Sequence, residues 1–578
     1  MTGFMGILSK KLQMSNNFDI RISSVTPRIE DKKIIGNCWF MRSVTNKFLK
    51  DKIFIEEPDL FICTDGTILN ATILMNDLKI KDIFNLIRYY YTRDPSEFPR
   101  KLRGDFSGAV YDKKMDAWTI YNNHIGSKPV FYYFDAINGD FIFGSEIQMV
   151  LRGMRSIGVN PMINETGAYC LLSFGYMIGD HTLVDGIKRL SPGSILRYQE
   201  GEISIIRYYR LENTPYIDLP DEQIIEELDT RFKAAVKAEY EKDLEYGYKH
   251  VATLSGGLDS RTNVCYAKKS GFSNILAICF SQSNYSDEKI AKQIASDWGY
   301  EFLFSSLDNG NYLKAIEENV RINDGLIYYS GSAHLYSMLR LMNWNPLGLL
   351  HTGMIGDVIM GSFLTEPKHQ EFNESFLKKV ATSRKLLGSM PGEIISNIKD
   401  VYPNDEIFAI YERCVNGIFN GYRVIEQFSE FSSPFVHVDF LEFALRIHPK
   451  KRYREKIYLD WIRKKSPEAG IYVWEDTGLP LWAGKRKFLS FKAVKYLKKK
   501  IFGPSPKDSM NPFDYWYKTN PELRGTFEDY YKSNISLLDD YPPLQKDTKY
   551  LFETGNTIEK TQALTLIAAI KLHELGNN

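Results

Sequence analysis

From residue 1 to about residue 210 the chain runs in short blocks of aromatic and β-branched residues separated by Gly, Asp and Asn. Phe61-Ile62-Cys63 precedes Asp65-Gly66, and Ala109-Val110-Tyr111, Val130-Phe131-Tyr132-Tyr133 and Phe141-Ile142-Phe143 follow. Such blocks suit the pleated, half-buried surface of antiparallel sheets, and the residues between them are turn formers. The polar stretch 211–221 carries Pro215 and Pro220 and reads as a linker. Beyond it the period changes. Apolar and charged positions predict a helix over 223–246, a short strand over 250–254, a Gly-rich turn and a helix over 259–268. A strand over 274–281, a helix over 287–298 and a strand over 300–307 come next. Strands alternating with helices predict parallel βαβ units in a doubly wound sheet, where ligands bind beyond the carboxyl ends of the strands. From Phe372 onward helices dominate. In 558–575, Leu564, Ile567, Ala568 and Leu575 share one helical face, which predicts a docking helix; the apolar run is too short for a membrane and is broken by Lys571.

Length and charge narrow the picture. The 578 residues suit two large domains. With 73 Lys+Arg against 72 Asp+Glu the net charge is +1, so no global field attracts nucleic acid or anionic lipid. No apolar run of about 18 residues predicts a membrane span. The basic run 495–500 reads as the solvated face of a surface helix. Cys38, Cys63, Cys170, Cys265, Cys279 and Cys414 are scattered and form no CxxC pair. They indicate neither a zinc site nor a disulfide framework, but the reduced, buried thiols of a cytoplasmic protein.

The candidate chemistry begins at Leu254-Ser255-Gly256-Gly257-Leu258-Asp259-Ser260, between a predicted strand and a predicted helix. Two glycines admit close backbone approach to a ligand, and Ser255 and Ser260 offer hydroxyl donors. The helix start behind them adds free N–H groups and a positive dipole end. This is an anion cradle without the Gly-Lys-Ser/Thr of a Walker loop. Asp259 would repel a phosphate unless a cation intervened, which predicts Mg²⁺. The string resembles the pyrophosphate loop of N-type ATP pyrophosphatases, which cut ATP between the α and β phosphates. Further on, the apolar Leu347-Gly348-Leu349-Leu350 leads into His351-Thr352-Gly353-Met354-Ile355-Gly356-Asp357-Val358-Ile359-Met360-Gly361. That segment resembles the SGxGxDE loop of asparagine synthetases and β-lactam synthetases. The resemblance implies that Leu254, Ile278, Thr352 and Gly353 line the adenosine site. It also implies that Asp259 and Asp357 together hold Mg²⁺ on the departing pyrophosphate and so serve catalysis.

The opening Met1-Thr2-Gly3-Phe4-Met5-Gly6-Ile7-Leu8 resembles the MCGIAGIL start of class II glutamine amidotransferases. Asp65-Gly66-Thr67-Ile68-Leu69-Asn70 is similar to their NGEIYN, and Leu102-Arg103-Gly104-Asp105-Phe106-Ser107 to their LDGxFA. His124 to Tyr133, Phe143-Gly144-Ser145-Glu146-Ile147 and Leu190-Ser191-Pro192-Gly193 are similar to RxGxKPLYY, FASEI and LxPG. With the later motifs, the resemblance to asparagine synthetases covers residues 1 to about 480. It implies an α/β protein: an Ntn-hydrolase-like αββα antiparallel sandwich over 1–210, a doubly wound ATP pyrophosphatase domain over 222–500, and a helical extension over 501–578 packed on the synthetase domain. The departures carry as much meaning. Thr2 stands at the nucleophilic Cys, Asp65 at the Asn that contacts the glutamine amide, and Arg103 at the Asp that holds the substrate ammonium. A guanidinium there would repel that ammonium. An N-terminal Thr freed of Met1 can be a nucleophile, but three changes together imply a retained fold without glutaminase activity.

On the acceptor side, 433–444 resembles PFLDxxFVEFA, with His437 where the family has an acid; a histidine at a helix start is the plain reading. Met354 stands where the family carries Glu or Tyr, and methionine is no general base. Trp474-Glu475-Asp476-Thr477-Gly478-Leu479-Pro480 falls on the loop that supplies a lysine, with Asp476 in the lysine's place and Lys485, Arg486 and Lys487 nearby. The reading is an ATP-dependent amide ligase that forms an acyl-adenylate and releases pyrophosphate and AMP. Its partners would be a small-molecule or peptide carboxylate and an amine or ammonia, with no nucleic acid and no membrane, and a homodimer is compatible. A glutamine-hydrolysing asparagine synthase and a nucleotide-binding pseudoenzyme scaffold are the alternatives.

Overall fold

The computed structural model describes residues 2–575 apart from 13–25, 369–370, 373, 393, 395–400, 484–489, 491–493, 495–496, 498–499 and 501–504. Among the described residues twelve strands build the first domain: β1 (Gly3–Leu8), β2 (Arg28–Ile35), β3 (Cys38–Thr45), β4 (Phe54–Glu56), β5 (Leu60–Ile68), β6 (Gly104–Asp112), β7 (Ala117–Asn122), β8 (Phe131–Asp135), β9 (Asp140–Gly144), β10 (Ile187–Arg189), β11 (Ser194–Gln199) and β12 (Glu202–Arg207). They form two six-stranded sheets, ordered β10-β8-β9-β1-β3-β2 and β12-β11-β7-β6-β5-β4. The alternation along each strand decides the layering. Phe4, Leu8, Phe40, Phe141 and Phe143 of the first sheet meet Phe61, Cys63, Trp118, Ile120 and Leu196 of the second in one core. The neighbouring Met5, Ile7, Met41 and Ile142 face outward, onto the helix Ile147–Ser156. Ile62, Val110 and Tyr121 face outward on the other side, onto the helix Ile83–Tyr91. The result is the αββα sandwich.

The second domain carries β13 (Lys249–Thr253), β14 (Ile275–Ser281), β15 (Glu301–Ser306), β16 (Leu347–His351) and β17 (Phe431–Ser432), in the order β15-β14-β13-β16-β17. Every pairing in this sheet is parallel. The helices Leu258–Lys269 and Ser286–Trp298 make the crossovers after β13 and β14. The stretch 211–221 is packed rather than a free tether. Leu211 and Asn213 are buried, and the Asn213 amide donates to Glu406 at 2.8 Å. No helix among the described residues is long and apolar enough to cross a membrane. The final helix, Thr557–His573, differs from the one-faced docking helix the pattern predicts. Residues Ala563 to Ile570 are all buried, because the helix is enclosed by both domains. Gln562 donates to the Leu171 and Leu172 carbonyls of the first domain, and Thr565 accepts from the Tyr329 amide of the second.

A buried ion cluster closes the seam between the domains. Lys128 lies 3.4 Å from Asp65, 3.1 Å from Glu426 and 2.6 Å from Glu430, and Lys52 lies 2.5 Å from Glu430. Arg423 pairs with Glu426 at 3.2 Å. The first domain contributes Lys52, Asp65 and Lys128, and the second contributes Arg423, Glu426 and Glu430. Burial alone would lower the Lys128 ammonium, but the three carboxylates outweigh it and hold it well above the usual lysine value. Removing one partner strands the others in a dry interior. Lys128→Met is therefore expected to lower unfolding free energy by about 3–5 kcal/mol, read as a lower urea midpoint with native-like circular dichroism.

Candidate functional site

The phosphate-type loop leaves the carboxyl end of β13. The Leu254 amide donates to the Ile278 carbonyl at 2.8 Å, which sets Leu254 beside β14. Within the loop the Ser255 amide donates to Ser260 Oγ at 3.1 Å, the two serine hydroxyls lie 2.9 Å apart, and the Gly257 amide donates to Ser255 Oγ at 3.2 Å. These amides and hydroxyls are gathered at the first turn of the helix Leu258–Lys269, and a helix N-terminus favours negative charge. Arg261 secures the turn from beneath. Its buried guanidinium donates to the carbonyls of Gly256, Ala469, Tyr472 and Val473. The Glu475 amide donates to the Gly256 carbonyl at 3.1 Å, so the turn containing Trp474 and Leu479 lies over the loop.

The second loop leaves β16, the parallel neighbour of β13, with His351 in register with Ala252. The two loops touch. A Cβ on Gly353 would sit 2.2 Å from the Ser260 amide nitrogen and 2.4 Å from the Asp259 carbonyl carbon. A Cβ on Gly356 would sit 2.7 Å from Asp259 Cγ. Ile355 turns the chain between them at φ 55°, a left-handed conformation that is costly for a β-branched residue. That turn aims the Asp357 amide at Asp259 Oδ2, 2.9 Å away, while the Tyr458 hydroxyl donates to Oδ1 at 2.7 Å. Burial pushes the Asp259 carboxyl well above its ordinary value, and the Asp357 and Glu455 charges push it further.

Both aspartates line one cavity of about 610 Å³. Leu254, Ser255, Gly257, Ser260, Ile278 and Gly353 line it with them. Gly256 and Thr352 do not: Gly256 is spent on Arg261 and Asp287, and Thr352 is buried with its hydroxyl donating to the Ser432 carbonyl at 3.0 Å. Asp287, Glu455 and Asp476 add three carboxylates to the walls, and no Lys or Arg among the described residues joins them. Asp287 accepts from the Gly256 amide at 2.7 Å and is pushed up to about 6 by burial, helped by the Glu475 charge. Carboxylate oxygens gathered in one cavity are the kind of donor set that a hard divalent cation takes. Met354 also lines the cavity, beside His334 and Tyr422. Lys485, Arg486 and Lys487 lie outside the described residues, as does most of the basic run 495–500. His437 is partly buried at the start of the helix Val438–Arg446, 3.7 Å from Asp439. Sequence reasoning missed Arg261, Asp287, Glu455 and Tyr458. Arg261 directly follows the motif and Asp287 opens the next helix; Glu455 and Tyr458 have no local signal.

A family model for the glutamine amidotransferase domain matches residues 59–209, and one for asparagine synthase matches 227–403. The two matches fall on separate parts of the chain, an amidotransferase-type domain followed by an asparagine synthase domain. Asparagine synthetase 3 of Bacillus subtilis, named as glutamine-hydrolyzing, is 29% identical over 161 residues, covering 28% of this chain and 24% of that protein. Asparagine synthetase B of Escherichia coli is 22% identical over 315 residues, covering 51% and 50%. A Methanocaldococcus jannaschii protein provisionally named for the same synthetase is 26% identical over 221 residues, covering 36% and 40%. The chain thus spans half or less of the length of these relatives. The positions that resemble those of the amidotransferases make the following contacts. The Thr2 amide donates to Glu146 at 2.8 Å, Thr2 is 1% exposed, and Asp65 faces Lys128. Arg103 turns instead to Asp439, which it bonds through Nε and Nη2 at 3.0–3.2 Å. Its guanidinium is thus paired with a carboxylate of the second domain.

The loop contact is directly testable. In Gly353→Ala the new methyl meets backbone, which cannot swing aside. Overpacking of this kind costs about 1–3 kcal/mol. Calorimetry should show Mg·ATP affinity reduced by about tenfold or more.

Proposed function

We propose that this chain is an ATP-dependent amide ligase that activates a carboxylate as its acyl-adenylate and passes the acyl group to an amine or ammonia. The observation that carries this is the shared cavity: a pyrophosphate-type loop and two aspartates from neighbouring parallel strands face one space. Leu254 and Ile278 suit the faces of an adenine, and the Gly257 amide with the Ser255 and Ser260 hydroxyls suits the departing phosphates. Asp259 and Asp357 would hold Mg²⁺, which when bound supplies positive charge to the phosphate oxygens. A substrate carboxylate oxygen bonds to the α-phosphorus while the bond to the β-phosphate oxygen breaks. The amine then bonds to the acyl carbon and AMP leaves. Cleavage between α and β suits a loop that lacks a lysine for the γ-phosphate but cradles pyrophosphate.

The amine would come from solution rather than from glutamine, since Thr2 has no thiol and Asp65 is paired to Lys128. The substrate acid is a small molecule or a peptide, and the site of action is the cytoplasm. Met354 in the general base's place favours one other reading, a nucleotide-binding scaffold without turnover.

Pyrophosphate and AMP are the expected products when Mg·ATP is screened against carboxylic acids and amines; ADP and phosphate would contradict the reading. Asp259→Asn and Asp357→Asn should each lower turnover by about 100-fold or more. The double variant should be little worse than either, because the two act as a unit. Purified protein given glutamine should release no glutamate above the blank; Thr2-dependent release would restore the glutaminase alternative.

A further inference from the structure

A second cavity of about 240 Å³ adjoins the ATP cavity, and His334 and Tyr422 line both. Its walls come from both domains. Gly175 ends the helix Glu165–Phe174, Tyr176 bridges to Ile327, and the Tyr328 amide donates to the Gly175 carbonyl at 2.8 Å. The opposite wall is the π-helix Ile410–Phe419 and the turn after it, which present Arg413, Gly417 and Gly421. A ten-residue π-helix is rare, and such windings recur at functional sites.

The shape and chemistry are specific. A Cβ on Gly421 would meet the Gly331 carbonyl oxygen at 3.4 Å and Ile327 Cδ1 at 3.2 Å, and one on Gly417 would meet the Tyr176 ring at 3.3 Å. These glycines let the segments pack closely, and the cavity they border is walled by Tyr176, Ile327, Tyr328, His334 and Tyr422, a lining that suits a flat apolar group. At its side the Arg413 guanidinium lies over the Tyr176 ring, 5.6 Å from its centre, with no carboxylate in ion-pair range among the described residues. A guanidinium stacked on a ring keeps its N–H edge for a planar or tetrahedral anion. His334, held down to about 4 by burial, is neutral at neutral pH and sets no charge barrier between the two spaces.

We infer that this second cavity is a subsite for the remote part of the substrate acid: a flat apolar group that ends in an anion, carboxylate or phosphate. The inference rests on the ligase reading for the identity of the reacting end, but the subsite can be tested separately. Phenylacetate and phenyl phosphate are titrated by calorimetry into the Mg·ATP-loaded protein, with benzyl alcohol and inorganic phosphate as partial probes. Both aromatic anions should bind, the tighter one naming the anion, and each partial probe should bind about tenfold more weakly or worse. Arg413→Gln and Gly421→Leu should each weaken the aromatic anions by about tenfold or more while leaving Mg·ATP affinity unchanged. Arg413 is only half-buried, so its variant keeps the test intact where Gly421→Leu fails to fold. Failure of both aromatic anions to bind, or binding unaffected by Arg413→Gln, overturns the subsite. Variant-sensitive binding without pyrophosphate release under any acid would uphold the subsite and sink the ligase reading; release with indifferent probes would do the reverse.

Discussion

The functional centre depends on one backbone contact, the seating of Gly353 against Ser260 where β16 runs parallel beside β13. Parallel register brings both loops out at the same sheet edge. Loop contact without intervening side chains then draws Asp259 and Asp357 together in a space that disfavours charge. The protein tolerates that crowding through the Tyr458 hydroxyl, the Asp357 amide and a strained Ile355. Like charges held together by a rigid backbone repel each other, and a divalent cation is the kind of group that would relieve that repulsion.

The second constraint is the buried ion cluster at the seam. Charged groups buried together contribute little net stability, yet each is costly to strand, so the cluster fixes how the domains meet. It also takes in a residue at one of the amidotransferase positions. Asp65, at the position that would contact the glutamine amide, is held by Lys128, and Lys128 is held by Glu426 and Glu430 of the other domain. The sandwich is thereby joined to the second domain through buried charges. The final helix, enclosed by both domains, serves the same end. The cavity between Tyr176 and Arg413 is lined by both domains and shares His334 and Tyr422 with the larger cavity.

Much of this was determined by the sequence alone. Alternating large residues such as Phe4-Met5 and Phe141-Ile142-Phe143 dictate two-faced strands, because side chains alternate across a sheet. The Ser255–Ser260 string dictates an anion cradle, because loop, glycines, hydroxyls and helix start are contiguous. Other features required the tertiary structure. The last helix reads as one-faced because periodicity reports only its strongest side, whereas enclosure by two domains buries the rest. Thr352 carries a family position yet bonds inward to Ser432, a residue of a distant strand. Glu455, Tyr458 and the Tyr176–Arg413 cavity join segments that are far apart in the chain. Local pattern records which faces are apolar and which turns are tight; it holds no record of which distant loops meet. That was settled by the parallel order of β13, β16 and β17 and by the packing of one domain on the other.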